Sequence, residues 1–268
     1  MSIAQFFSQP ITLIAGRRFI LASTTITELR RRYAGSVFGP TWVVLGPALL
    51  MALYTVIYAV VFRVRPLDFS QADYIIYIFC GLVPYLGFSE ALLSGSTSLS
   101  ANKEMLLNTM FPADLVPLRA VLIASVSTVV GLLLLVVGNG AIGHFSWTLL
   151  LVPVVVVLQV AFVTGVVWVL SLANLVMRDI QQFLVYLNVV LLIASPIAYT
   201  PSMIPSSIKL LIYINPLSYF VISMQHLVLL GTLPPPGIAI GAIILSLTSF
   251  FAGHWVFRRA KTVFFDYA

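Results

Sequence analysis

The stretch RRRYAGSVFGPTWVVLGP (residues 30–47) decides the fold, because it joins three arginines to a long apolar segment. No Lys, Arg, Asp or Glu occurs from Tyr33 to Phe62, and about 20 apolar residues are enough for a helix to cross a bilayer. Clustered arginines beside such a run are typical of the cytoplasmic end of a membrane span. Pro40 falls near the first turn, where its missing N–H costs little, whereas Pro47 lies deeper and predicts a kink.

The composition of the whole chain extends this interpretation. Of the 268 residues, 60% are hydrophobic and 8% are charged, against about 25% charged in a soluble domain. Further charge-free runs occur at 74–89, 120–177, 180–208 and 210–257. The single cysteine, Cys80, excludes an intramolecular disulfide. The chain is therefore predicted to be an all-α integral membrane protein, and its basic residues beside the spans predict no nucleic-acid partner.

Gly, Pro and polar interruptions divide the apolar runs into six predicted transmembrane helices, at 38–62, 74–95, 118–137, 148–177, 181–200 and 237–257. With the N-terminus inside, eleven of the fourteen Lys and Arg residues lie on the cytoplasmic side. This bias predicts that both termini are cytoplasmic. The domains are then a cytoplasmic N-terminus (1–37), the six-helix membrane domain (38–257) and a cytoplasmic tail (258–268).

Two segments do not fit the pattern of full spans. Residues 17–32 predict an amphipathic helix that lies on the cytoplasmic surface. Residues 203–214 and 216–231 are apolar but too short to cross comfortably. A seventh crossing would also place the basic residues of the tail outside. These two pieces are therefore predicted to be short re-entrant or interfacial helices on the outer side.

The chemistry that the chain lacks excludes an enzyme. Its three histidines have no metal-ligand spacing, and no serine lies in a G-x-S-x-G context. No Gly-Lys pair exists, so a phosphate-binding loop is absent and ATP would have to bind a separate subunit. No metal or other cofactor is predicted in the chain. Glu90 is the one candidate for an acid inside the membrane. It can be interpreted either as an interfacial carboxylate or as a proton-binding site.

Aromatic residues form stripes on the first two predicted spans. Rings recur at helical spacing in both, at Tyr54, Tyr58 and Phe62 and at Tyr74, Tyr77, Tyr85 and Phe88. One interpretation is an interfacial aromatic belt with ordinary packing. The other is the wall of a substrate path on which the apolar faces of sugars stack.

The loop at 98–118 is the one sizeable cytoplasmic loop that the topology leaves. Ser100 or Asn102 can cap a short helix that runs to about Met110 and stops before Pro112. Its apolar residues predict either contact with the bilayer or docking into a groove of a partner.

Four stretches in this order carry a resemblance to a known family: RRYAGSVFGPTWVVLGP (31–47), NKEMLLNTMFPADLVPL (102–118), RDIQQFLVYLNVVLLIASPIAY (178–199) and NPLSYFVISMQHL (215–227). The chain resembles the membrane subunit of type-2 ABC exporters for O-antigen, capsular or teichoic-acid-like polysaccharides. The resemblance implies that 17–32 is an interface helix, 98–112 a coupling helix, and 203–231 a pair of outer gate helices. Family members often carry basic residues before the Phe-Pro pair, where this chain has Asn108, Thr109 and Met110.

The resemblance also implies partners and residue roles. The partners would be a second copy of the chain, two ATPase subunits that bind ATP and Mg²⁺, and a lipid-linked O-antigen-type glycan on polyprenyl pyrophosphate in a bacterial inner membrane. Capsule or teichoic-acid export, drug or other lipid export, and an ATP-independent channel or scaffold are the alternatives. The residues predicted for coupling to the ATPase are Lys103, Met105, Leu106, Met110, Phe111 and Pro112, and those predicted for the outer gate are Pro205, Asn215 and Pro216. The residues predicted to bind the pyrophosphate are Arg17, Arg18, Arg30, Arg31 and Arg32. The alternative for these arginines is that they only orient the protein in the membrane and bind phospholipid headgroups.

Overall fold

The structure, a computed structural model, describes residues 3–61, 69–143, 145–201, 203, 205 and 210–261, apart from the side chains of residues 3–7 and 59–61. All regular secondary structure within these ranges is helical. The α-helices are α1 (Ile3–Gly16), α2 (Arg18–Arg32), α3 (Trp42–Thr55), α4 (Gln71–Ser96), α5 (Ser98–Ala101), α6 (Lys103–Asn108), α7 (Leu115–Ala141), α8 (Val152–Val176), α9 (Asp179–Ala194), α10 (Leu210–Ile214), α11 (Pro216–Gln225) and α12 (Pro236–Ala260).

Five helical segments of the described ranges are long and apolar enough to cross a membrane. They are Gly39–Tyr58, Gln71–Ser96, Leu115–Ala141, Trp147–Val176 and Pro236–Ala260. The predicted all-helical membrane fold is thereby confirmed. Pro40 lies in the 3₁₀ turn that begins the first of these segments, and α3 continues through Pro47 without ending.

The fifth predicted span, 181–200, is shorter in the structure than in the prediction. It corresponds to α9, which has 16 residues and a length of about 24 Å, less than the roughly 30 Å of a bilayer core. The helix ends because Ser195 is extended (ψ 141°), and Pro196 disfavours a helical conformation in the residue before it. The predicted boundary at residue 200 is therefore wrong.

The two short pieces at 203–214 and 216–231 each contain a helix. Residues 202, 204 and 206–209 lie outside the described residues, and the first piece is represented by the five residues of α10. The second piece is α11, extended by a π-helical turn at His226–Leu230 and ended by Gly231 at φ +63°. Almost all of α11 is buried among other helices. Protein burial of this kind is the setting in which a helix too short to span is tolerated in a membrane.

Helix α4 forms the centre of the molecule. In its most apolar window 72% of the residues are buried, against at most 44% in the other candidate spans. It packs against α7, α8, α9 and α11. A buried polar contact adds to this packing, because Gln159 Nε2 of α8 donates a 2.6 Å hydrogen bond to the Pro84 carbonyl of α4. Such bonds between membrane helices contribute about 0.6–2 kcal/mol.

Helices α8 and α12 make a close backbone contact through two glycines. A Cβ atom at Gly165 would overlap the Ser249 carbonyl, and one at Gly253 would overlap the Gly165 carbonyl. Ser249 Oγ also donates a 2.8 Å hydrogen bond to the Phe162 carbonyl. Since apolar burial does not drive helices together in lipid, small residues that allow close backbones take over that role.

The helix predicted at 17–32 is present as α2 (Arg18–Arg32), and a further helix, α1, precedes it. Helices α1 and α2 are separated by a break at Arg17. Leu21 of α2 is buried against Leu115 and Leu118 at the start of α7. This apolar contact holds the interface helix on the membrane domain and leaves its arginine edge exposed.

We expect Gly165→Val to separate α8 from α12 and to lower the thermal stability of the purified protein in detergent. A larger side chain at a backbone contact forces both helices to shift. Gly237→Val is the matched control, because nothing lies within 4 Å of a Cβ at Gly237 in α12. Equal melting temperatures for the two variants would show that the glycine contact does not hold the bundle.

The topology predicts which side of the membrane each loop faces. In a Cys80→Ala background, a cysteine at exposed Ser70 should react with an impermeant maleimide added to intact cells. A cysteine at exposed Ser100 should react after permeabilisation and not before. The opposite labelling pattern would reverse the predicted orientation.

Candidate functional site

The aromatic residues of the first span stay accessible in part. The Tyr54 and Tyr58 rings are stacked, with centroids 6.2 Å apart and an interplanar angle of 12°. Both side chains are half-buried. Phe62, the third member of the predicted stripe, lies outside the described residues. These two tyrosines therefore present ring surface beside the helix bundle.

The aromatic residues of the second span are placed differently from the prediction. Tyr74, Tyr77, Tyr85 and Phe88 are all buried within the chain itself. The tyrosine hydroxyl groups donate hydrogen bonds to the carbonyls of Ala198 (2.8 Å), Tyr199 (3.2 Å) and Asn188 (3.4 Å).

The Phe88 ring stacks on Phe162 with centroids 6.2 Å apart. In this arrangement the four rings join α4 to α8, to α9 and to the segment that follows α9. They do not form an open wall within the single chain, because the face of α4 that carries them is turned toward the protein core.

The residues predicted to form an outer gate lie near one another in sequence but have distinct settings. Asn215 is the N-cap of α11, and its side-chain oxygen accepts a 3.0 Å bond from the Leu217 N–H. Its amide donates a 2.8 Å bond to Ser195 Oγ. Pro216 occupies the first turn of α11, where proline is favoured, and Pro205 is exposed. Asn215 therefore fixes the start of α11 against the end of α9, and a gating role stays a prediction.

The loop at 98–118, which is predicted to be cytoplasmic, contains two short helices, α5 and α6, instead of one. Helix α6 ends at Asn108, two residues before the predicted end at Met110. Asn102 occupies the N-cap position of α6, but its side chain makes no capping bond. Its amide donates to the Ser98 carbonyl at 2.8 Å, and its oxygen accepts from Arg119 at 2.7 Å. The predicted cap is thus wrong, because Asn102 makes tertiary contacts instead.

The apolar residues of this loop divide into an inner and an outer set. Leu106 is 6% exposed and packs with Leu99, Trp168 and Phe257 in a cluster at one end of the bundle. Met105 and Phe111 pack against the same cluster. Burial of Leu106 leaves it no surface for a partner, and it fastens α6 to the membrane domain.

The outer set consists of Leu107, which is 49% exposed, and Met110, which is fully exposed. Lys103 is also exposed on α6, and Pro112 is half-buried. We call Leu107 and Met110 the loop surface. These two residues are the large apolar side chains of α6 and the residues after it that are exposed.

The five predicted phosphate-binding arginines do not converge on one site. Arg17 lines a cleft of about 610 Å³ between α1, the cytoplasmic loop and α12. The Arg18 guanidinium lies 5.0 Å from the centroid of the Phe19 ring. Arg31 and Arg32 lie at the other end of α2, roughly 20 Å away along a 15-residue helix. A single pyrophosphate cannot contact both groups.

Arg32 has a partner that the sequence did not predict. Its guanidinium forms an ion pair with Glu90 of α4, and the other Glu90 oxygen accepts a 2.7 Å bond from Ser127 Oγ of α7. Burial alone would lower the pKa of Arg32, but the charge and hydrogen bond of Glu90 outweigh it and raise that pKa above its ordinary value. Glu90 is therefore an anchor for the end of α2, and Arg32 is already neutralised.

The structure buries two further charged residues, Arg119 and Asp114, to which the sequence analysis gave no role at a site. Arg119 is 6% exposed, near the start of α7. Asp114, immediately before α7, is also buried, and its carbonyl accepts a 2.9 Å bond from Trp168 Nε1. Its carboxylate lies 3.8 Å from Lys261 Nζ. An ionisable residue inside a membrane helix is often functional. The position of Arg119 within the predicted span 118–137 could therefore have marked it as a candidate from the sequence alone.

Within the described ranges, no group of three His, Cys, Asp or Glu side chains is arranged to hold a metal ion. Cys80 is fully buried in α4. The arrangement offers exposed surfaces for contact, and its polar side chains anchor helix ends.

Comparison with known proteins assigns this architecture. The profile of the family described as ABC-2 type transporter matches residues 21–229, which is 209 of 268 residues. The chain is 28% identical over 250 residues to the O-antigen export system permease protein RfbA of Myxococcus xanthus, covering 92% of this chain and 94% of that protein. It is also 28% identical over 217 residues to RfbA permeases of Klebsiella pneumoniae, covering 80% and 82% of the two chains. With a matching profile over most of its length and a helical membrane fold, this chain belongs to the ABC-2 type transporter family of membrane subunits and is a transport protein rather than an enzyme.

Proposed function

We propose that the chain is the permease subunit of an ATP-driven exporter that moves a lipid-linked O-antigen-type glycan across a bacterial inner membrane. The observation that carries the proposal is the alignment with proteins named O-antigen export permeases over 80–92% of the chain. The helical membrane fold and its several apolar spans agree with a multi-pass permease. Both termini are proposed to be cytoplasmic, as the distribution of Lys and Arg indicates.

The energy for export would come from a separate ATPase, since an ABC-2 membrane subunit works with such a partner and this chain has no Gly-Lys pair for a phosphate-binding loop. Two copies of that ATPase would bind the ATP and Mg²⁺. The loop surface is the proposed contact. Leu107 and Met110 are exposed apolar side chains on a loop that Leu106 holds rigidly to the bundle. A rigid loop transmits movement of the ATPase to α4 and α7, which flank it.

The glycan path is proposed to lie between two copies of the chain. Helix α4 and its rings are enclosed by the chain's own helices, so the single bundle offers no open aromatic wall. Tyr54 and Tyr58 on α3 keep accessible ring surface. Helix α9 adds Phe183 and Tyr186, which are 64% and 72% exposed. Stacking on such rings is weakly directional and would let a long polymer slide without a deep binding well.

The proposal is tested first at the level of export. Deletion of the gene should abolish surface O-antigen and leave the polymer on its lipid carrier inside the cell. The wild-type chain should restore it in this strain, which keeps its ATPase. In a strain that lacks both genes, the permease should restore export only together with the ATPase, and restoration by the permease alone there would contradict ATP-driven export.

We expect Met110→Asp to disrupt the contact with the ATPase. An apolar side chain buried in a partner groove contributes about 1.5–3 kcal/mol, and a buried unpaired charge adds a further cost. Co-purification of the ATPase should fall by at least tenfold, or its ATP hydrolysis should no longer respond to substrate. Met177→Asp is the matched control, because Met177 is also an exposed methionine near the cytoplasmic end of a span. If both variants export normally, the loop surface is not the coupling contact.

The two accessible tyrosines allow a separate test of the path. The double variant Tyr54→Leu/Tyr58→Leu should reduce surface polymer severalfold while assembly and ATP hydrolysis persist, because stacking surface is lost and the core is not. Tyr74→Leu should instead lower stability, since Tyr74 is buried and bonded to Ala198. Normal export by the double variant would remove these tyrosines from the proposed path.

A further inference from the structure

Arg119 is a buried positive charge to which the transport proposal gives no role. It is 6% exposed and lies four residues after Leu115, the first residue of α7. Among the residues that the structure describes, no carboxylate oxygen lies within 4.0 Å of its guanidinium. Its hydrogen-bond partner is the neutral Asn102 side chain, at 2.7 Å. A buried charge without a paired charge is costly unless something compensates it.

The donors that Asn102 leaves unused are open to a cleft. A guanidinium has five N–H donors, and none of the Arg119 nitrogens is among the buried polar atoms without a partner. The cleft has a volume of about 540 Å³. It lies between α2, the α4–α5 junction and α7, and polar side chains such as Thr97 and Ser98 contribute to its wall.

The charges around this cleft favour an anion. Its charged lining residues are Glu28, Arg31, Arg32 and Arg119. Because Arg32 is paired with Glu90, the remaining charges of the lining are the positive Arg31 and Arg119 and the negative Glu28. The lining therefore has an excess of positive charge. Glu28 acts favourably on the Arg119 charge but is not in ion-pair contact with it. Two arginines that converge on one cleft suit phosphate oxygens, which guanidinium groups bind in a bidentate manner.

The depth of the cleft points to a lipid. Arg119 lies about 6 Å along α7 from its cytoplasmic end, within the roughly 5–7 Å thickness of the headgroup layer on each side of a bilayer. The α2 helix that borders the cleft is the surface helix of the protein, and Arg31 is exposed there. We propose that the cleft lined by Arg31, Asn102 and Arg119 binds the phosphate headgroup of a membrane lipid. If the lipid is the carrier of the glycan, the site rests on the proposed function; if it is a bulk phospholipid, it does not.

The test uses the full chain in phosphatidylcholine nanodiscs with three probes, namely radiolabelled farnesyl diphosphate, dioleoyl phosphatidate and inorganic pyrophosphate. Asn102→Asp places a carboxylate against Arg119 and should compete with the ligand, so binding of the lipid phosphates should weaken at least tenfold. Arg119→Gln should weaken binding to a similar degree. Ser100→Asp adds the same charge at an exposed neighbour outside the cleft, and Arg18→Gln removes an arginine elsewhere; both should change binding less than twofold.

Asn102→Asp also keeps the proposal falsifiable if Arg119→Gln fails to fold. A purely structural Arg119 would gain an ion pair in Asn102→Asp and would raise the melting temperature without any change in lipid binding, which would overturn the proposal. Inorganic pyrophosphate binding as tightly as the lipids would likewise overturn the assignment to a headgroup.

The lipid probes separate the two sources. Preference for farnesyl diphosphate over phosphatidate would support a site for the carrier lipid, and Asn102→Asp should then also reduce surface polymer. Equal binding of both lipids would support a phospholipid site and would leave the export proposal to its own tests.

Discussion

The structure depends on one constraint: in a lipid environment, apolar surface alone does not hold helices together. A leucine is as well solvated by lipid tails as by a neighbouring helix. The helices must therefore be joined by close backbone packing and by polar contacts that have no alternative partner in the hydrocarbon. Gly165 and Gly253 supply the first kind, where α8 and α12 meet. The bond from Gln159 to the Pro84 carbonyl supplies the second.

The same constraint explains why the aromatic residues of α4 are structural. A buried tyrosine hydroxyl needs an acceptor, and the non-helical segment after α9 has free carbonyls because its backbone has left the helix. Tyr74 and Tyr77 bond to the carbonyls of Ala198 and Tyr199 there. The early end of α9 and the burial of the α4 rings are therefore connected. The tyrosine side chains of α4 bond to backbone carbonyls that have no helical hydrogen-bond partner.

At the surface formed by α2, α5 and α6, charged residues also contribute to the packing. The apolar cluster around Leu106 and Trp168 holds the loop, and Glu90 holds the end of α2 through Arg32. Leu107 and Met110 remain exposed beside these contacts. Arg119 differs from its neighbours, since its hydrogen-bond partner is neutral. The described part of this surface thus combines firmly held helices with exposed apolar side chains and a buried arginine that has no carboxylate within 4.0 Å.

The sequence by itself determined the all-helical membrane class, the approximate positions of the five long spans and the presence of short apolar helices before the last span. These features follow from the lengths of the apolar runs, because the thickness of a bilayer sets how many residues a spanning helix needs. It predicted stripes such as Tyr74 and Tyr77 correctly as one face of a helix. It could not decide which way that face turns, since the spacing is the same for a core and for a wall. In the same way, the sequence did not distinguish Leu106 from Met110 in the loop. It predicted Asn102 as a possible helix cap, and it counted Arg119 only as a positive charge that orients the chain in the membrane. Only the tertiary structure decided these cases, because each depends on which residue of a distant helix lies opposite, and sequence periodicity contains no information about that neighbour.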